Sequence, residues 1–300
     1  MADLLLDLIR ANAVGAAAVL TVLAARAPVR RGLGADAAYR LWIVPPLAFA
    51  ASLLPAREVL GAASRYDAPA WAAELAAPLL AAWAVGAGLS VLVLALTQHA
   101  FLRAAQAGRA GPAVVGILTP RIVMPRDDGG FSPEERALIR AHELKHLERG
   151  DACANAVMAA LQCLLWFNPL AHVAVRAARL DQEIACDAAV LRRRPAARAL
   201  YARTLLKAQL SAAPVPLGAA CASHPLETRI ALISRPPRDE GPSGPLTVGA
   251  GALGACVLAW SLTPPVAPVE PLSWRPSEAE PPAMNVLMIR AQAASSPVPA

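Results

Sequence analysis

Residues 142–146 read HELKH, a pattern in which two histidines four positions apart flank a glutamate. On a helix of 3.6 residues per turn, His142 and His146 project from one face, so both imidazoles can bind one metal ion. Glu143 lies about 100° round the helix from His142 and can reach a water on that metal without being a ligand. The pattern alone is also compatible with a polar surface helix, so the site needs further residues to support it.

The flanking residues predict that this motif lies on a helix from Ser132 to Gly150. Ser132 is a good N-cap, and Pro133 suits the first helical position. Glu135, three residues after Ser132, completes a capping box. Gly150 is suited to end the helix.

A catalytic zinc needs a third protein ligand, and the best candidate is Glu183, which lies 37 residues after His146. That distance lets the chain turn and return antiparallel to the first helix. Asp187 shares a helix face with Glu183 and can accept the free N–H of a zinc-bound histidine. Asp151 is expected to cap the next helix and is a second candidate for supporting the site. Cys186 is interpreted as a small core residue, with a soft metal ligand as the alternative.

The composition excludes an ordinary soluble enzyme, because 56% of the residues are hydrophobic, only 17% are charged, and the apolar residues form long runs. Four of these runs are predicted to be transmembrane helices: residues 8–25, 37–55, 76–102 and 246–263. Nine prolines occur after residue 263, so the tail 264–300 is predicted to be disordered and extracytoplasmic.

Charge predicts the orientation of these spans. Residues 26–40 contain four arginines and one aspartate, and residues 101–245 contain 19 basic and 13 acidic residues. By the positive-inside rule both segments are cytoplasmic and both termini are extracytoplasmic. The formal charge of +6 is thereby explained without nucleic-acid binding. The five cysteines are odd in number and lack C-x-x-C spacing, which indicates free thiols.

The predicted cytoplasmic domain, residues 103–245, is expected to be mainly helical. One or two short strands are predicted within 113–125. The predicted helices after the motif cover 152–167, 169–191 and 196–210. The first of these is interpreted as a core or membrane-surface helix, with a re-entrant membrane segment as the alternative.

Four other polar residues are weaker candidates. His172 is interpreted as structural, and Glu148 and Asp181 are expected to face solvent. The sequence leaves open whether His224 lines the cleft or simply packs.

The combined motifs resemble those of the BlaR/MecR-type membrane metallopeptidases, metallo-peptidase family fifty-six. The matching runs are GILTPRIVMP, SPEERALIRAHELKHLERGD, WFNPLAHVAVRAARLDQEIACDAAVL and SHPLETRI. The resemblance implies a mainly α membrane protein with four transmembrane helices and a cytoplasmic gluzincin-like zinc domain containing a few short strands. It also implies one Zn²⁺ per chain, held by His142, His146 and Glu183, with Glu143 as the catalytic base.

The expected function is peptide-bond hydrolysis by a multi-pass protein of the inner (plasma) membrane that transduces an extracytoplasmic or membrane signal. The resemblance implies a cytoplasmic regulatory protein, such as a transcriptional repressor, or the chain itself as substrate. The sequence leaves oligomerisation open.

The chain departs from the family pattern in the short segment after the last predicted span, where the best-known members carry a penicillin-binding sensor. Neither of the two lysines follows a serine by three positions, so no S-x-x-K acylation motif occurs. Two rival interpretations are a non-proteolytic membrane receptor or scaffold with a structural zinc site, and a transporter-like membrane protein with a metal-binding loop.

Overall fold

The fold of the described residues is dominated by helices. The computed structural model describes residues 1–54, 69–109, 112–117, 119–124, 130–211, 226–234 and 243–261. Its α-helices are α1 (Ala2–Leu33), α2 (Ala35–Arg40), α3 (Val44–Ser52), α4 (Ala70–Gln106), α5 (Pro133–Arg149), α6 (Asp151–Leu164), α7 (Pro169–Arg193), α8 (Arg198–Ser211), α9 (Leu226–Ile233) and α10 (Ser243–Ser261). Its strands are β1 (Ala113–Val115) and β2 (Arg121–Val123), and short 3₁₀ turns occupy Leu41–Ile43 and Pro195–Ala197.

Two helices, α1 and α4, are long and apolar enough to cross a membrane by length and composition. Only 6% of the most apolar stretch of α4 is buried against the rest of the chain. Large apolar side chains such as Val85, Leu89 and Leu96 are therefore exposed along it. An exposed apolar surface of this kind marks contact with a membrane or a partner.

The other two predicted spans correspond to shorter helices. Residues predicted as the span 37–55 form most of α2, a 3₁₀ turn and α3, whose first turn contains Pro45 and Pro46. These prolines lack backbone N–H groups, so the chain breaks into short helices here. The predicted span 246–263 lies largely in α10, and the predicted tail 264–300 lies outside the described residues. Whether either segment crosses a membrane stays a prediction.

A buried ion-pair cluster joins α1 to α7. The carboxylate of Asp181 accepts hydrogen bonds from Arg26 Nη1 at 3.1 Å, Arg30 Nη1 at 2.8 Å and Trp42 Nε1 at 2.9 Å. The Asp181 side chain is fully buried, so the expectation that it faces solvent was wrong. The two arginines near the end of α1 compensate its charge, which is why a carboxylate can be buried there. Glu148, by contrast, is exposed as expected.

The helix carrying the two histidines has the predicted ends. The Ser132 hydroxyl accepts from the Glu135 N–H at 3.2 Å, and the Glu135 carboxylate accepts from the Ser132 N–H at 2.8 Å. Gly150 ends α5 in the left-handed conformation, at φ 72° and ψ 30°. Glycine favours this conformation because it has no Cβ.

Asp151 does not cap α6 as expected. Gly150 is the N-cap, and Asp151 is the first residue of α6, with no side-chain cap hydrogen bond. Its carboxylate instead faces His146 and Arg149, which provide stronger charge-assisted hydrogen bonds.

The two strands form the antiparallel hairpin expected before α5, with Val114 opposite Ile122. Gly116 follows β1 at φ 101°, and a Cβ there would lie 2.6 Å from the Thr119 carbonyl oxygen. This position therefore requires glycine.

The remaining predicted helices are confirmed within a few residues. Asn168 caps α7 by accepting from the Leu170 N–H at 2.8 Å, and α7 ends at Arg193. The predicted helix 196–210 corresponds to a 3₁₀ turn followed by α8, whose Tyr201 is almost fully buried. Tyr201 packs in a cluster with Leu138, Val190 and Leu191, which joins α5, α7 and α8.

Replacing Asp181 by alanine would leave Arg26 and Arg30 without their shared carboxylate. We expect the free energy of unfolding to fall by about 3 kcal/mol, the lower end for breaking a buried ion pair, since both arginines are partly exposed. Denaturant unfolding of the detergent-solubilised chain measures it. Arg40→Ala is the control, because its pair with Asp36 is half exposed and we expect a loss below about 1 kcal/mol. Equal losses in both variants would contradict this account of the cluster.

Candidate metal centre

The structure brings His142, His146 and Glu183 together, with their candidate ligand atoms all within 4.8 Å of one another. The Nε2 atoms of the two histidines lie 3.1 Å apart. Glu183 Oε2 lies 3.2 Å from His142 Nε2, and Oε1 lies 3.5 Å from His146 Nε2. These are the three residues that the sequence predicts as ligands.

Helix geometry produces this convergence. His142 and His146 occupy successive turns of one face of α5. The Gly150 turn leads from α5 into α6, and the turn before Asn168 reverses the chain into α7, which packs against α5. Glu183 lies beyond the middle of α7, where that helix passes the two histidines.

Each histidine is held through its Nδ1 atom. His146 Nδ1 lies 2.6 Å from Asp151 Oδ2. His142 Nδ1 lies 2.8 Å from the Tyr201 hydroxyl and 3.3 Å from Asp187 Oδ1, and the Tyr201 hydroxyl donates to the same Asp187 oxygen at 2.7 Å. A proton on each Nδ1 satisfies these contacts and leaves both Nε2 atoms, which face Glu183, as the atoms that would bind a metal.

Two arginines, neither identified from the sequence, neutralise the carboxylates. Arg229 on α9 donates from Nε and Nη2 to Asp187 at 2.8 and 2.7 Å, and its Nη1 lies 3.0 Å from Glu183 Oε2. Arg149, at the end of α5, donates from Nε and Nη2 to Asp151 at 2.8 and 2.6 Å. Both pairs are bidentate, the geometry in which a planar guanidinium binds a carboxylate best.

These contacts keep the carboxylates ionised. Burial raises the pKa of Glu183, but Arg229 and the two histidines outweigh it and hold that pKa well below its ordinary value. Burial likewise raises the pKa of Asp187, and Arg229 and His142 bring it below its ordinary value. Asp151 follows the same pattern, with Arg149 and His146 lowering its pKa against the effect of burial.

The two residues at the start of the motif behave differently. Burial lowers the pKa of His142, but hydrogen bonds to Asp187 and Glu183 outweigh it and raise that pKa to about 10. Burial is the main effect on Glu143, and it raises the pKa of that carboxyl despite the nearby histidines and Arg229. A glutamate with a raised pKa beside a metal site is suited to accept and return a proton.

The donor set fits zinc, since two imidazole nitrogens and a carboxylate oxygen are common ligands in catalytic zinc sites. Among the described residues a second group, His146, Asp151 and Cys186, has similar spacing. Burial raises the pKa of the Cys186 thiol, which disfavours the thiolate form that zinc binds. Cys186 is fully buried, as its interpretation as a core residue requires.

His172 lies away from the centre, consistent with its structural interpretation. Its Nδ1 lies 2.7 Å from Gln162 Nε2, and its Nε2 lies 2.9 Å from the Trp166 carbonyl oxygen. His224 lies outside the described residues.

Sequence reasoning missed Tyr201, Arg229 and Arg149. Arg229 lies in the SHPLETRI run, which carried part of the family resemblance but did not identify the arginine itself. Arg149 directly precedes the glycine that ends α5, so its position beside Asp151 follows from a turn that the sequence does predict. Tyr201 carries no local signal beyond being an aromatic residue on a predicted helix.

Comparison with known proteins gives two matches. Residues 104–233 match the family model described as BlaR1 peptidase M56. Regulatory protein BlaR1 of Bacillus licheniformis is 37% identical over 81 residues, which cover 27% of this chain and 14% of that protein. This chain therefore spans only a small part of its curated relative. No solved structure matches the chain. The matched residues 104–233 contain His142, His146, Glu183 and their supporting side chains, so this part of the chain is similar to the BlaR1 peptidase M56 family.

Proposed function

We propose that this chain is a membrane-embedded zinc endopeptidase that acts as a signal transducer. The observation that carries the proposal is the convergence of His142 Nε2, His146 Nε2 and the Glu183 carboxylate from two helices. Both histidines are oriented by buried acceptors on their Nδ1 side, an arrangement typical of metal-ligating histidines.

His142, His146 and Glu183 would hold the zinc. When bound, zinc would lower the pKa of a water molecule and polarise a peptide carbonyl. Glu143 is buried beside the two histidines and acts as the general base, taking a proton from the attacking water. Its raised pKa suits it to pass the proton on to the leaving amine.

Arg229 serves as a positioning residue in this scheme. It contacts both Glu183 and Asp187, so one guanidinium orients a ligand and the carboxylate that supports His142. This pairing keeps Glu183 ionised in its buried position.

The membrane part of the proposal comprises the four predicted spans, with residues 103–245 in the cytoplasm and both termini outside. The exposed apolar surface of α4 supports it, since a bilayer would cover side chains that water solvates poorly. Arginines cluster at the end of α1, where the positive-inside rule places the cytoplasm.

The proposed substrate is a cytoplasmic regulatory protein, such as a transcriptional repressor, or the chain itself. The match to a protein named regulatory protein BlaR1 supports a role in signalling. A signal received outside the cytoplasm or within the bilayer would then control hydrolysis at the metal centre.

Glu143→Gln tests the catalytic role while preserving the shape of the side chain. We expect the turnover of a quenched fluorescent peptide library by the zinc-loaded full chain to fall about 10²- to 10⁴-fold, because the amide cannot accept the water's proton. Zinc content should be unchanged. Glu148→Gln, an exposed residue of the same helix, is the matched control and should keep full activity. Undiminished hydrolysis by Glu143→Gln would remove Glu143 from its role. A wild-type chain that binds zinc but cleaves no peptide would favour the receptor interpretation.

Zinc affinity distinguishes the two overlapping clusters that share His146. We expect Glu183→Ala to abolish stoichiometric zinc binding, and Asp151→Asn to weaken it about 10- to 100-fold through the loss of support for His146. Cys186→Ala is the matched control on the same helix and should bind zinc like the wild type. Competition with a chromophoric chelator measures all three affinities. Zinc loss in Cys186→Ala with retention in Glu183→Ala would place the metal in the other cluster.

A further inference from the structure

We infer that α6 and the first half of α7 form a re-entrant hairpin whose tip, residues 164–168, inserts among the acyl chains of the bilayer. This inference rests on the proposed function in one respect, namely that α1 and α4 span the membrane. The hairpin would be a lipid-contacting element within the proposed zinc domain. Asp151 lies at its start, and Glu183 follows its end along α7.

The depth of the tip follows from the pairing of α7 with α1. Asn168 Nδ2 donates to Asn12 Oδ1 at 2.8 Å, and further along both helices Arg26 pairs with Asp181 at 3.1 Å. The two helices therefore run side by side in the same direction. The 13 residues from Asn168 to Asp181 span roughly 20 Å at 1.5 Å per residue. If the Arg26–Asp181 pair marks the cytoplasmic edge, the tip reaches about two-thirds of the way through a 30 Å hydrocarbon core.

Contacts with α4 place the tip at the same level. Trp83 Nε1 donates to the Leu164 carbonyl at 2.8 Å, and Trp166 Nε1 donates to the Trp83 carbonyl at 3.3 Å. The Trp166 ring packs on Gly86, where a Cβ would lie only 2.1 Å from the indole. Trp83 and Gly86 lie well inside the apolar stretch of α4, far from its charged ends.

The hairpin has the composition that lipid contact requires. Residues 152–175 contain no aspartate, glutamate, lysine or arginine. Several of their large apolar side chains are exposed, namely Val157 (46%), Leu164 (39%), Trp166 (39%), Phe167 (50%) and Val173 (40%). A charge-free segment with exposed apolar side chains is favoured beside acyl chains and disfavoured in water.

Polar groups at the tip are paired within the protein. His172 bonds Gln162 on one side and the Trp166 carbonyl on the other. Asn168 donates to Asn12 and accepts from the Leu170 N–H. The turn also contains the backbone bond from the Asn168 N–H to the Leu165 carbonyl, at 2.9 Å. Non-helical backbone is tolerated at membrane depth only with such internal partners, because no water is present to replace them.

Depth measurements on spin-labelled full-length chain in lipid vesicles test the inference. The label is placed at Cys153 near the start of α6, at Val157, at Phe167, and at Val85 of α4 as the depth reference, each as the single cysteine in an otherwise cysteine-free chain that retains zinc. The readout is the ratio of collisions with oxygen, which partitions into the bilayer, to collisions with a water-soluble nickel chelate. We expect the ratio to rise severalfold from Cys153 through Val157 to Phe167, and to match at Phe167 and Val85.

The outcomes separate the hairpin from the membrane proposal. A high ratio at Val85 with low, equal ratios at Cys153, Val157 and Phe167 would show α6 lying at the surface and overturn the hairpin alone. A low ratio at Val85 as well would overturn the membrane placement and the hairpin with it. If the cysteine-free chain loses zinc, p-benzoylphenylalanine replaces Phe167 in the unaltered sequence. Photo-adducts within the acyl chains would then support the hairpin, and their absence, with adducts formed from the same probe at Val85, would overturn it.

Discussion

The metal centre depends on the groups that hydrogen-bond the Nδ1 atoms of the two histidines. The Asp151 carboxylate hydrogen-bonds Nδ1 of His146. The Tyr201 hydroxyl hydrogen-bonds Nδ1 of His142 and donates to Asp187. A buried histidine that donates through Nδ1 has a fixed tautomer and a fixed ring orientation. The remaining Nε2 atoms then point at each other and at Glu183.

The same carboxylates create an electrostatic requirement that the rest of the fold satisfies. Three acidic side chains are packed behind and between the histidines, and buried charges of one sign are costly without partners. Arg149 neutralises Asp151, while Arg229 serves both Asp187 and Glu183. These groups come from α5, α6, α7 and α9, with Tyr201 from α8, so the centre forms only where five helices meet. Tyr39 of α2 extends the contacts by donating to Asp151 and accepting from Gln182, which lies beside Glu183.

Local chemistry explains which parts of this arrangement are predictable from sequence. The capping box at Ser132 and the left-handed Gly150 depend on neighbouring residues, as does the spacing of His142 and His146. Glu183 was identifiable because its distance along the chain fits a returning helix. The position of Arg229 depends on a long-range approach that no local pattern encodes. The helix-cap prediction for Asp151 and the solvent-facing prediction for Asp181 were wrong for one reason, since arginines bind both carboxylates. Asp151, which was also predicted to support the site, lies 2.6 Å from His146 Nδ1.

X-ray absorption at the zinc edge of the metal-loaded, full-length chain tests this account most directly. The account predicts a first shell of nitrogen and oxygen at about 2.0–2.2 Å, with the multiple scattering of two imidazoles and no sulfur. A sulfur shell at about 2.3 Å would contradict it, because the metal would then be bound by Cys186 on the Nδ1 side of His146.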